Sequence, residues 1–354
     1  MLKHPYNVIV VASPTGNAPP PAIGELRVDQ LSTALDLARI SAKRGSRGCS
    51  IVINEGMYID FTPVEKEDFG YFGDFSLEIV GTEEVRIVAT SPIDRLFYVP
   101  RGCSLALKNL AIYGCPRAAT SSDAAEFRIY ATASKLFLVD VRIHGSNCGP
   151  LCDEGSEMLA IDCVFSESKS WFGIVDAKAE YRSCRWIEEF GAHTQPFIPY
   201  GHVLGKSEAT FRQCQFVMKN GCNEENYSAA IGVSKGGKIV MTETLVSGFY
   251  RAISVIDSYS RAELDNCKIL DCSIAIFSRM NSIATVSDCE IVTDAVLQIQ
   301  LNEEGKVKFR RNSLKLFARA PKLIAKIYAD REPKVVDHDF KVLQIRSDCK
   351  QAEN

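Results

Sequence analysis

Three groups of side chains in this 354-residue chain have types and spacings that could do chemistry. The first is acidic: Asp153 and Glu154 at one turn, Asp176 at a similar turn further on. Two carboxyls held roughly 5–9 Å apart serve glycoside hydrolysis, one as acid and the other as nucleophile or base. The bland reading is a pair of solvated turns, with Lys206 able to offset Asp176. The second group is His144 with Cys148 and Cys152, which bracket a Gly-Pro-Leu turn. Two thiolates and an imidazole are zinc-ligand chemistry. A structural site wants paired short spacings, and the chain has no C-x-x-C pair to complete one. No metal or cofactor is therefore expected. The third group is the segment 191–204, which carries His193, Pro196, Phe197, Tyr200 and His202. Paired imidazoles can move protons. A loop rich in proline and aromatics on a rigid scaffold more readily binds a partner.

Composition narrows the setting. Apolar residues make up 46% of the chain, enough for a long buried core, and the net charge is −3. A charge so near zero points away from nucleic acid as a partner. No apolar run reaches the roughly 18 residues of a membrane span. The apolar run 8–12 is too short for a secretory signal. With 13 cysteines, no such signal and no regular pairing, the expectation is a reduced, cytoplasmic protein.

The elements that must position these groups come from a repeat of about 22 residues. Its pattern is apolar-x-apolar-x-turn-apolar-x-apolar. Leu105, Leu107, Leu110 and Ile112 form one set; Met158, Ala160, Cys163 and Phe165 another; Ala209, Phe211, Cys214 and Phe216 a third. The third apolar position falls on Leu110, Val141, Cys163, Cys184, Cys214, Thr244, Cys267, Cys289 and Asn312. Only Thr244 and Asn312 are polar there, and a thiol reads as a small buried hydrophobe. Alternation of period two means a strand with one buried face. The skipped beat means a corner, and the residue before the third position must hold it. That residue is Asn109, Asp140, Asp162, Asn266 or Asp288 in several repeats, and Asn and Asp tolerate the left-handed conformation. A third apolar stretch, such as Ile253-Ser254-Val255, completes each coil. Three short strands per coil predict an all-β solenoid, a right-handed parallel β-helix, the hand following from that of parallel crossovers. A leucine-rich repeat has a similar period, but its L-x-x-L-x-L register is absent.

Three parts are expected. Residues 1–48 form an N-terminal strand, loop and capping helix, the helix starting near Asp29 as N-cap with Leu31, Ala34, Leu35 and Ala38 on one face. Residues 49–318 form the β-helix, and 319–354 a C-terminal cap and charged tail. Insertions are read at 115–134, 190–206 and 220–235. Trp171, Phe172 and Tyr250 are read as exposed aromatic contacts, and Trp186 as core.

The order of helix 31–41, strand 50–53, Gly56-Met57-Tyr58 and Leu77-Glu78-Ile79-Val80-Gly81 resembles the opening of pectin methylesterases. The repeat over 28–320 is similar to the pectin lyase-like superfamily of right-handed β-helices. The closer resemblance ends near residue 81. It implies catalytic sets that the chain lacks: no Q-D-T-L or D-F-I-F-G stretch of the esterases, no G-H-G or R-I-K of polygalacturonases, no carboxylate cage of calcium-dependent lyases. The stretch from Ser170 to Asp176 is the nearest approach to the esterase pattern. The expectation is therefore a non-enzymatic scaffold that binds protein partners in a larger assembly, cytoskeletal ones included. The alternative is a lyase or hydrolase acting on polysaccharide, with Asp153, Glu154 and Asp176 as its acids.

Overall fold

The computed structural model describes residues 7–11, 25–58, 74–88, 96–113, 129–145, 149–168, 170–188, 200–219, 229–300, 306–310, 312–317, 325–328 and 340–346. They form two compact units, Met1–Phe172 with Asp176–Ala179, and Gly173–Val175 with Glu180–Asn354. Both are built from short parallel strands stacked coil on coil, and the fold is a right-handed parallel β-helix with an N-terminal helix.

In the first unit one ladder runs through Asn7–Val11, Gly48–Ile53, Ser76–Val88, Ser104–Tyr113 and Lys135–His144. Like meets like along it: Leu77, Leu105 and Leu136 occupy one register, and Ile79, Leu107 and Leu138 the next. All six are buried. The helix Leu31–Lys43 buries Leu31, Ala34, Leu35, Ala38, Ser41 and Ala42. Its N-cap is Gln30 rather than Asp29, and no side chain caps it. The segment before the helix also adds strands, since Asn7–Val11 pairs in parallel with both Glu25–Val28 and Gly48–Ile53.

In the second unit Glu208–Arg212, Lys238–Thr242, Arg261–Asp265, Ile283–Ser287 and Lys306–Arg310 stack in register. An aromatic layer fills its interior. Tyr181 stacks on Phe211 with ring centroids 5.0 Å apart, and Trp186 on Phe216 at 4.3 Å. The ladder does not stop at residue 318. Ala325–Tyr328 pairs in parallel with the end of Glu290–Gln300, and Phe340–Arg346 with Asn312–Phe317.

The corner is more general than its Asn and Asp residues suggested. Asn109, Asp140, Asp162, Ser183, Gln213, Glu243, Asn266 and Asp288 all have φ between 49° and 55°. For a residue with a Cβ this conformation costs roughly 1–2 kcal/mol, so burial of the two flanking strands overrides the local preference. The position after the corner is likewise not simply apolar. Cys184, Cys214, Cys267 and Cys289 point S–H at the carbonyl two residues earlier, at 3.1–3.4 Å. Thr244 does the same with its hydroxyl at 2.9 Å and accepts from the Cys214 N–H at 3.4 Å. The site selects a short donor, which explains why a threonine fits among thiols.

Every insertion read from the sequence ends in a strand of the coil: Ile129–Thr132, Gly201–Leu204 and Ala229–Ser234. The extra residues precede the third strand and leave its register intact. Among the described residues all cysteines are buried free thiols, and no helix is long and apolar enough to cross a membrane.

Candidate functional site

The candidate site lies in the first unit, on the outward face of the third strands Phe97–Val99, Ile129–Thr132 and Leu151–Asp153. Inward side chains of these strands, Phe97, Val99, Ile129, Ala131 and Cys152, fill the core. The alternation then turns Tyr98, Tyr130, Thr132 and Asp153 to the other face of these strands, where Tyr98 and Thr132 are buried and Tyr130 and Asp153 half-buried. Registers Tyr98↔Tyr130↔Leu151 and Thr132↔Asp153 set them in two neighbouring columns. Stacked strands lie about 4.8 Å apart, close enough for adjacent side chains to meet.

They do meet. The Tyr98 and Tyr130 rings sit edge to face with centroids 5.3 Å apart. The Tyr130 hydroxyl donates to Asp153 Oδ2 at 2.5 Å. Asp153 Oδ1 is occluded from solvent and has no hydrogen-bond partner. The backbone below it is pinned. Ser156 N–H donates to the Asp153 carbonyl at 3.0 Å, and the Ser156 hydroxyl donates to the Asp153 and Ala131 carbonyls. The Ser134 N–H donates to Ser156 Oγ at 3.2 Å. A carboxylate held by a neighbouring phenol, on a strand whose turn is locked by a buried serine, is pre-positioned for use.

The other sequence-derived acids stand beside it. Ala133, Glu154 and Asp176 are corner residues of successive coils, with φ of 44°, 50° and 49°. The Gly155 N–H donates to the Asp176 carbonyl at 2.7 Å, which ties the last two corners together. Glu154 and Asp176 are exposed, and Arg101 reaches Glu154 at 3.5 Å. That pair is open to water and worth little. The structure thus gathers Asp153, Glu154 and Asp176 at one strip, the end of the third strand. Tyr98 and Tyr130 were missed from the sequence, because Tyr130 lay inside a stretch read as insertion. The signal was there: Ile129-Tyr130-Ala131-Thr132 alternates like Leu151-Cys152-Asp153, about one coil on.

The remaining candidates disperse. Cys152 is fully buried and its Sγ approaches Met158 Sδ at 3.9 Å. Burial pushes its thiol up to about 12, which leaves a poor ligand or nucleophile. His144 lies on the exposed face, its Nδ1 2.9 Å from Ser166 Oγ and its ring against Tyr113. Cys148 lies outside the described residues. Gly149 next to it donates its N–H to the Ser170 carbonyl at 2.7 Å, and a Cβ there would collide with the Trp171 carbonyl. The Gly-Pro turn has its own structural reason. No group of three potential metal ligands forms among the described residues. Of the loop residues, His193, Pro196 and Phe197 lie outside the described residues. Tyr200 is interior, packed edge-on against Phe249 at 5.9 Å, so it offers no surface to a partner. His202 is half-buried on Gly201–Leu204. Trp171 and Phe172 are core residues, contrary to the exposed role expected of them; inward apolar packing claims both.

Comparison with known proteins concerns the fold. Residues 200–317 match the family model described as "Right handed beta helix region". No curated protein matches the chain. Among solved structures, a pectin methylesterase in complex with a hexasaccharide is similar at 12% identity over 71% of this chain and 81% of that one, with a TM-score of 0.44. The catalytic unit of a GH87 alpha-1,3-glucanase from Streptomyces thermodiastaticus shares 11% identity over 78% of this chain and 59% of its own, TM-score 0.48. Pectate lyase Pel9A shares 9% over 95% and 79%, TM-score 0.41. These are likenesses of coil architecture, and no activity is drawn from them. Strand ladder, corner and family model agree on the fold, which is a right-handed parallel β-helix.

Proposed function

We propose that the outward face of the third strands in the first unit binds a polysaccharide and acts on it by acid–base chemistry. The observation that carries this reading is Asp153, half-buried with its Oδ2 held by the Tyr130 hydroxyl, next to the exposed corner acids Glu154 and Asp176. Tyr130, half-buried beside it, offers ring surface with a polar tip, which suits the faces and hydroxyls of sugars, and Tyr98 packs edge to face behind it. In this reading the Asp153 carboxyl gives or takes the proton, and Tyr130 fixes its direction. Glu154 and Asp176, at the adjoining corners, are the candidates for the second carboxyl that hydrolysis needs.

The test is turnover by the full chain on a panel of glucans, xylans, chitosan, polygalacturonate and alginate, with and without calcium. Asp153→Asn should lower any activity by about 10²–10⁴-fold. Inactivity throughout, in a protein with a native circular dichroism spectrum, would return the chain to the protein-binding scaffold expected from its sequence.

A further inference from the structure

The main ladder of the first unit ends at Glu25–Val28, which pairs with Asn7–Val11 on one side. Among the described residues no strand pairs with its other side. An open edge presents a row of unpaired N–H and C=O groups and invites another chain to pair with it. The side chains at this end also lack cover. Leu26 shares the register of Ile51, Ile79 and Leu107, all fully buried, yet is itself 50% exposed. It is the uncovered end of a core column. The helix Leu31–Lys43, packed against this strand and its neighbours, leaves Ile40 44% exposed. Gly56–Tyr58, also paired on one side only among the described residues, leaves Met57 55% exposed. These are three of the five large apolar side chains exposed among the described residues, so uncovered apolar surface gathers on the elements of this end.

The charges on the edge say what covers it. Arg27 shares the register of Val52 and Val80, on the opposite face from Leu26, and is half-buried. Asp29, two residues on, is exposed. Neither makes an ion pair with a described residue. Gln30 is still extended, with φ −128° and ψ 141°, and the helix begins only after it. The run Arg27-Val28-Asp29 is antisymmetric in charge about Val28. An antiparallel copy turned about Val28 sets each Arg27 opposite the Asp29 of the other copy. A two-fold contact must be self-complementary in this way. Opposite charges facing each other across antiparallel strands stabilise the pair, and like charges destabilise it. The same register places Leu26 diagonal to Val28 of the other copy, on one face.

We infer that two copies of this chain close each other's open edge, by antiparallel pairing of residues 26–30 about Val28. The dimer is independent of the glycan reading, since none of these residues belongs to the strip at Asp153.

The experiment is sedimentation equilibrium of the full chain over about a hundredfold range of concentration. A monomer–dimer equilibrium is expected with no larger species, because a two-fold contact uses up the edge. Arg27→Glu and Asp29→Lys, each alone, set like charges opposite one another and should weaken the dimer at least about tenfold. Combined, they restore opposite pairs with the signs exchanged, and should recover the dimer to within about threefold. Leu26→Lys should weaken it too, while the monomer keeps its circular dichroism spectrum, because Leu26 is exposed there. Where a charge variant does not fold, Leu26→Lys and the weakening of the native dimer by salt decide in its place. A monomer at every concentration, open-ended polymers, or a dimer indifferent to these substitutions and to salt would overturn the inference.

Discussion

At Thr244 the chain spells out what its cysteine ladder is for. The hydroxyl donates to the Thr242 carbonyl at 2.9 Å and accepts from the Cys214 N–H, as a thiol does elsewhere in the ladder. Thr244→Cys should thus be nearly neutral. Thr244→Val, of similar volume, strands buried polar groups and should cost about 1–3 kcal/mol in urea unfolding. Equal costs for the two would show that the position reads size alone. The thiols themselves should be silent in the folded protein. Burial pushes Cys49 up to about 11 and Cys152 to about 12, from 9.0. A raised pKa means that the folded state holds the proton more tightly. That stability is fully present below pH 9 and is lost as pH rises through the folded values, between about 9 and 12. Thiol labelling at neutral pH should be slow until denaturant is added, and the unfolding midpoint should fall across that alkaline window. Rapid labelling of Cys152 in native protein at neutral pH would contradict its place in the core. Single residues were the least legible level of the sequence. The apolar register of Leu105, Phe211 and Cys214 could be read directly, because burial enforces period two. The hydroxyl of Tyr130 could not, because a bond between coils leaves no trace in local spacing.

At the scale of elements, the corner and the helix carry the argument. Ser183 takes φ of 54° with nothing in its type to favour it, and its N–H donates to the Arg212 carbonyl at 2.9 Å. Ser183→Asn should hold or raise stability. Ser183→Val, β-branched at positive φ, should lower it by about 1–2 kcal/mol. An unaffected Ser183→Val protein would mean that the corner relaxes elsewhere. The helix Leu31–Lys43 was legible from its apolar spacing, while its cap was not: Asp29 looks like an N-cap by type, yet Gln30 takes the place without a side-chain bond. Tertiary burial of Leu31 and Leu35, each fully inaccessible, does what the cap does not. Removing residues 1–45 deletes this helix and the strand Asn7–Val11, which pairs with Gly48–Ile53. The exposed parallel edge should make the truncated chain aggregate, as light scattering would record. A soluble, equally stable truncation would show that the segment protects nothing.

At the scale of the whole molecule, period made the fold readable and left its surface mute. Coil-to-coil repetition constrains inward residues strongly, so the interior could be written down from spacing. Outward residues obey no such rule, so the strip that gathers Asp153, Glu154 and Asp176 needed coordinates, and the end of the ladder at 318 was misplaced once the apolar spacing weakened. The same repetition governs how damage spreads. A solenoid is held by contacts between neighbouring coils, so stability is approximately a sum of nearest-neighbour terms. Phe211 touches Tyr181, Trp186 and Phe216 within its own layer, at centroid distances of 5.0, 5.8 and 5.4 Å. Phe211→Ala should cost about 3–5 kcal/mol there. In a globular domain with one core, such a loss lowers protection everywhere. Here amide exchange should quicken in Glu208–Arg212, Arg185–Glu188 and Lys238–Thr242, whose strands stack on or beside it. It should stay unchanged in Ser76–Val88 and Ser104–Tyr113, which belong to the first unit. A uniform rise in exchange across all these strands would mean that the chain unfolds as one cooperative body, and that nearest-neighbour additivity does not describe it.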